Sequence, residues 1–153
     1  MIKNSKHSYG WGVIILHWCM ALLVFSMFGL GLYMVELSYY DAWYKGSLDL
    51  HKSLGVIAFL LLAIRAFWRL VNVKPSFEGE GPSEVGFELS LAKWVHRVLY
   101  VLMFVLMFSG YLISTADGRG IDVFGLFDVY AIPVLVDNQE DVAGDIHYFL
   151  AWT

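Results

Sequence analysis

The chain has 153 residues, the length of one domain, and is 59% hydrophobic, 17% aromatic and only 16% charged, with a mean hydropathy of +0.63. These values lie outside the range of ordinary soluble domains and fit a helix bundle whose outer face meets lipid. A net charge of -4 and a pI near 5.6 exclude the basic footprint of a nucleic-acid binder, and the single cysteine, Cys19, excludes an intramolecular disulfide or a thiolate metal cluster.

A short basic lead, residues 1–10, precedes the first apolar stretch, WGVIILHWCMALLVFSMFGLGLYMV. The stretch is too long for a signal-peptide core and no small-residue cleavage site follows it, so it is expected to stay attached. It predicts a transmembrane helix over about residues 11–36. At about 1.5 Å per residue such a helix crosses a hydrocarbon core of about 30 Å with some tilt. His17 lies about two turns inside it, and an unpaired imidazole there is costly, which makes it a candidate functional residue.

The connection ELSYYDAWYKGSLDL is polar and aromatic; Tyr39, Tyr40, Trp43 and Tyr44 suit a water interface. A second helix is predicted over about residues 50–71, opening at His51, with Arg65 and Arg69 able to snorkel toward its end. Residues 72–88 concentrate proline and glycine and read as a solvated connection. The uncharged run over residues 98–116 marks a third helix, predicted over about residues 91–116. In the following connection the apolar pieces DVFGLFDVY and AIPVLV are too short to span and are expected to form an interfacial cap. A fourth helix opens near residue 142, and by residue 153 it covers only about 18 Å, so it is expected to be truncated, as a fragment or with its end in mid-membrane. The fold class is therefore all-α, a transmembrane four-helix bundle in one domain over residues 1–153.

Lys3, Lys6, Arg65, Arg69, Lys74, Lys93 and Arg97 lie on the N-terminal side, against Lys45, Lys52 and Arg119 on the other. This bias places the N-terminus in the cytoplasm. With alternating helix directions, His51 and His147 then fall at the outer level and His17 and His96 at the inner level. Neutral imidazoles from two helices are the usual axial ligands of a bundle haem, and a bis-imidazole iron with no open position suits electron transfer. Pairing His51 with His147 makes one such metal site; pairing His17 with a residue further along helix 4 makes a second. Taken singly, each histidine reads equally well as a hydrogen-bonding group between helices, but four in two layers favour the ligand reading. His7 is a solvated residue of the lead. Arg65, about one turn inside the membrane edge, suits snorkelling first and a haem propionate or quinone headgroup second. Met103 and Met107 read as packing. Tyr100 lies one turn from His96, and Gly29, Gly31, Gly55 and Gly110 allow close approach of helices or of a flat macrocycle.

The chain resembles the bacterial cytochrome b561 family, related to the b-type cytochrome subunits of nickel-iron hydrogenases and formate dehydrogenases. The resemblance rests on His17-Trp18, on Leu50-His51-Lys52-Ser53-Leu54-Gly55 followed by Arg65 and Arg69, and on Trp94-Val95-His96-Arg97-Val98-Leu99-Tyr100. It continues through Ser109-Gly110-Tyr111, Val123-Phe124-Gly125-Leu126-Phe127 with Ile132-Pro133, and Ile146-His147-Tyr148-Phe149-Leu150-Ala151-Trp152. It implies a multi-pass cytochrome of the bacterial inner membrane with two haem b groups, passing electrons between quinone and an outer-side donor or acceptor. By position, His51 and His147 match the outer ligands and His17 an inner one. The family's second helix 4 histidine follows the first by about fourteen residues, close to four turns, beyond residue 153. His96 then stands as a substitute ligand or a quinone contact. Some members of the family resemble a superoxide oxidase that feeds ubiquinone, in which case Lys52 and Arg119 would attract the small anion and the protein would be an oxidoreductase. A cofactor-free transporter or assembly subunit using its histidines for protons or metal is the remaining reading.

Overall fold

The computed structural model describes residues 1–5, 7–73, 75 and 85–153. Lys6 and Lys74, which entered the charge bias, and most of the connection rich in glycine and proline lie outside the described residues. The described elements are α1 (Trp11–Val35), α2 (Tyr44–Val71), α3 (Val85–Ser114), β1 (Ile121–Val123), β2 (Phe127–Val129) and α4 (Gln139–Ala151).

Among the described residues, three helices are long and apolar enough to cross a membrane: Trp11–Val35, Tyr44–Val71 and Ser90–Ser114, with mean hydropathies of 2.3, 2.1 and 1.8 over their most apolar windows. Only 6%, 11% and 6% of those windows is buried inside the protein. The apolar side chains therefore point outward all round, an arrangement that water would penalise and lipid satisfies. The chain is a membrane protein. Its internal core is correspondingly thin, with Met20, Ala58, Leu62, Ile121, Val123 and Ala143 as its buried apolar side chains among the described residues.

Two helices begin six residues before the positions expected from hydropathy: α2 at Tyr44 rather than 50, α3 at Val85 rather than 91. Hydropathy marks where hydrocarbon begins, whereas a helix needs only its hydrogen-bond ladder to continue into the interface. At α2 the ladder starts with the Ser47 amide donating to the Trp43 carbonyl at 2.9 Å, and Ser47, 1% exposed, is packed under the rest of the protein. For the same reason α4 begins at Gln139, three residues early, where the Val142 amide donates to the Asn138 carbonyl.

The stretch expected to form an interfacial cap contains a short antiparallel hairpin, for which no secondary structure was expected. Ile121 pairs with Val129 and Val123 with Phe127. Its sequence alternates: Ile121 and Val123 are buried and Asp122 between them is exposed, the period-two signature of a strand with one face covered. The turn needs positive φ at both central residues, Phe124 (φ 55) and Gly125 (φ 69). It closes with the Leu126 amide donating to the Val123 carbonyl at 2.9 Å and the Gly125 amide donating to Asp122 Oδ1 at 2.7 Å. Ser53 docks the hairpin onto α2: its hydroxyl donates to the Asp122 carbonyl at 3.2 Å and accepts the Phe124 amide at 3.4 Å. The segment after the hairpin is pinned to α3 by Tyr111, whose hydroxyl donates to the Tyr130 carbonyl at 2.7 Å and accepts the Ile132 amide at 3.0 Å. Gln139 completes the tie, bridging the Leu135 amide and the Leu112 carbonyl.

Candidate functional site

At the hairpin end, each of the four helices contributes one residue to a single level: Gly31 from α1, His51 from α2, Gly110 from α3 and His147 from α4. The rings of His51 and His147 face each other with centres 6.3 Å apart and planes at 76°. A Cβ at Gly110 would stand 3.0 Å from His147 Cε1, and one at Gly31 would stand 3.6 Å from His51 Cε1. The glycines thus make room for the two rings, tightly on the α3 side and at ordinary contact on the α1 side.

The two imidazoles are held differently. His147 Nδ1 lies 2.9 Å from the Leu106 carbonyl and 3.2 Å from the Ser109 hydroxyl. A carbonyl only accepts, so Nδ1 carries the proton and the Nε2 lone pair is left free. His51 Nδ1 is buried without a hydrogen-bond partner.

At the opposite end the histidines are arranged otherwise. Arg65 Nη2 donates to His17 Nδ1 at 2.8 Å, which places the proton of a neutral His17 on Nε2. The Arg65 and Arg69 guanidinium carbons lie 5.6 and 5.4 Å from the centre of the Tyr100 ring, within cation–π range. Arg65 is therefore turned into the bundle rather than snorkelling outward. His96 Nδ1 donates to the Ala92 carbonyl of its own helix at 2.6 Å. The end of α4 meets α1 at Phe28, where Trp152 packs edge-on with ring centres 5.6 Å apart. His17 lies about three turns further along α1, beyond the reach of the described α4 side chains.

Sequence position thus brings His51 to His147 and His17 to Arg65, and leaves His96 bonded within its own helix. The Leu106 carbonyl and the Ser109 hydroxyl were not singled out for a role from the sequence. The one signal was the small pair Ser109-Gly110 in an otherwise bulky run. Two open clefts, of about 550 Å³ beside Ala116 and the start of α4 and about 300 Å³ along Trp94 to Leu102, lie away from the histidine pair.

With centres 6.3 Å apart, the His51 and His147 rings are close enough that a metal binding one nitrogen of each, at about 2.0–2.1 Å, would be held between them. Among the described residues no three His, Cys, Asp or Glu side chains converge as a bare ion would need. A two-histidine set suits a metal whose remaining ligands come with it, as in a porphyrin. The level of Gly31 and Gly110, the orphaned His51 Nδ1 and the free Nε2 of His147 fit haem. The His17 level does not fit a ligand as folded, because Arg65 occupies one ring nitrogen and the proton the other.

Comparison with known proteins identifies the family. Residues 8–153 match the family described as prokaryotic cytochrome b561. A curated relative, cytochrome b561 homolog 2 of Escherichia coli (strain K12), is 45% identical over 150 residues, covering 98% of this chain and 78% of that protein. With the helices, the paired histidines and these matches together, the chain belongs to the prokaryotic cytochrome b561 family, membrane cytochromes of haem-based electron transport.

Proposed function

We propose that this protein is an electron-transfer cytochrome that holds haem b between His51 and His147 and passes electrons between the quinone pool and a partner on the hairpin side of a bacterial inner membrane, with its N-terminus in the cytoplasm. The single observation that carries the reading is the pair of imidazoles close enough to hold a metal between them. Haem bound there supplies a one-electron iron couple whose potential depends on ligands, hydrogen bonds and burial. The protein's own contribution is derived from its residues. Leu106 and Ser109 hold the Nδ1 proton of His147 and aim its lone pair. Gly31 and Gly110 leave space at that level, and the hairpin docked on Ser53 covers the end of α2 two residues from His51. Arg65 and Tyr100, at the other end, make a cationic and aromatic lining suited to a quinone headgroup or a carboxylate. His17 would ligate a second haem only after release from Arg65.

Superoxide:quinone oxidoreduction is the enzymatic alternative, resting on Lys52 and Arg119 as anion attractors. Arg119 is engaged, donating from Nε to Asp117 Oδ2 at 2.6 Å, so Lys52 carries most of that reading. Lys52→Glu should then slow superoxide-driven haem reduction, and an unchanged rate would remove the residue from the scheme.

The test of the main reading is a reduced-minus-oxidised visible spectrum of the purified protein with haem counted per polypeptide. One haem that disappears in His51→Ala and in His147→Ala is the expected result. A colourless protein, expressed with ample haem, would overturn it and leave the cofactor-free transporter.

A further inference from the structure

The two histidines of the haem level are unequally held, and the difference lies on α3. Resting on the haem reading above, we infer that Ser109, Gly110 and the Leu106 carbonyl form a socket that fixes the tautomer and ring orientation of His147, so that Ser109 and Gly110 are positioning residues for the haem.

Observations on one turn of α3 converge. The Ser109 hydroxyl donates to the Leu106 carbonyl at 2.8 Å, which leaves its lone pairs directed elsewhere. His147 Nδ1 stands 2.9 Å from that same carbonyl and 3.2 Å from the hydroxyl oxygen, so its N–H is shared between two acceptors that are themselves linked. Ser109 is 3% exposed, which keeps water from competing for the bond. The third wall is Gly110: a Cβ there would stand 3.0 Å from His147 Cε1 and 3.3 Å from Nδ1, closer than a side chain tolerates without displacing the ring. The ring therefore lies flush against α3, held by two acceptors on one edge. His51 has no counterpart. Its Nδ1 has no partner and its facing glycine, Gly31, leaves 3.6 Å.

A hydrogen bond at Nδ1 raises the electron density that the opposite nitrogen gives to a metal and so favours the more oxidised ion. Loss of one acceptor should ease reduction. The bland alternative is that Ser109 only satisfies its hydroxyl on its own helix, as buried serines often do, and lies near His147 by packing.

The experiment uses the full chain with haem bound and compares wild type with Ser109→Ala, Ser109→Thr, Gly110→Ala and His147→Ala. It reads haem per polypeptide, the low-spin electron paramagnetic resonance signal and the midpoint potential. Ser109→Ala should keep its haem while its reduction equilibrium shifts about threefold toward the ferrous form, ~28 mV at 59 mV per decade, with altered g-values. Ser109→Thr, which keeps the hydroxyl, should return both toward wild type. Gly110→Ala should lose about tenfold or more in haem affinity. A Ser109→Ala protein with wild-type potential and g-values overturns the role of Ser109, and full haem with an unchanged signal in Gly110→Ala overturns that of Gly110. If Gly110→Ala does not fold, the serine variants still decide. A wild type without haem, or a His147→Ala protein with the wild-type spectrum, is a distinct failure, that of the haem reading itself.

Discussion

The two ends of the bundle carry the same ingredients, histidines on helices with glycines or arginines nearby, and use them in opposite ways. At the hairpin end the two imidazoles of His51 and His147 meet, with ring centres 6.3 Å apart. At the N-terminal end a guanidinium takes the ring nitrogen of His17 and two arginines crowd Tyr100. The difference teaches that a histidine in a membrane helix becomes a ligand candidate through what holds its second nitrogen. A carbonyl acceptor at Nδ1 frees Nε2, as at His147; a cationic donor at Nδ1 blocks it, as at His17. His96 has a carbonyl acceptor too, from its own helix, and lies within electrostatic reach of His17.

The largest effect expected from breaking this comparison is at the paired histidines. His51→Ala and His147→Ala should each abolish the reduced b-type spectrum of the purified chain, while His17→Ala and His96→Ala leave it at full intensity; equal losses at both ends would erase the distinction. Next comes the arginine clamp. Arg65→Gln frees His17 and should leave the spectrum unchanged but lower thermal stability in detergent by about 1.5–3 kcal/mol, the scale of a lost hydrogen bond to a charged group. An added second haem signal in that variant would show that Arg65 alone blocks the inner histidine. Ser53→Ala removes both bonds between α2 and the hairpin and should cost about 1 kcal/mol. Amide exchange over residues 121–129 is the readout, with faster exchange expected there and none at α3.

The smallest effect concerns the loop beyond α3. The hydrogen bond from the Arg119 side chain, together with its backbone amide, holds the Asp117 carboxyl below the usual carboxylate range. A depressed value means that the pair's contribution is complete above the unfolded value and is lost as the pH falls through the folded one. Its loss should therefore appear only below about pH 4, and both groups are fully exposed, so global stability should hardly move. Carboxyl resonances of Asp117 against pH check the direction; titration above the usual range would contradict it.

Much of this was legible from residues alone. The runs around His17, Leu62 and Met103 announce membrane helices by length and hydropathy, and helix direction then sorts the histidines into two levels. The family resemblance, carried by motifs spread from His17 to Trp152, is borne out by the match over residues 8–153. The starts of α2 and α3 were less legible, because polar residues such as Lys45 and Glu88 continue a helix outside hydrocarbon without leaving a hydropathy signal. The hairpin was hidden by its brevity: three residues per strand give one alternation, Ile121-Asp122-Val123, and a left-handed phenylalanine at its turn is not a residue choice that advertises a turn.

The sequence by itself determined the solvent of the helices, their order and the depth of each histidine, because hydropathy and a rise of about 1.5 Å per residue act along the chain. Only the tertiary structure decided which nitrogen of each imidazole is free. That depends on acceptors and donors supplied by other helices, the Leu106 carbonyl and Ser109 for His147 and Arg65 for His17, at separations along the chain of 41, 38 and 48 residues. Backbone carbonyls have no residue code, so a hydrogen bond such as that from His147 to Leu106 leaves no trace in a sequence until the helices are packed.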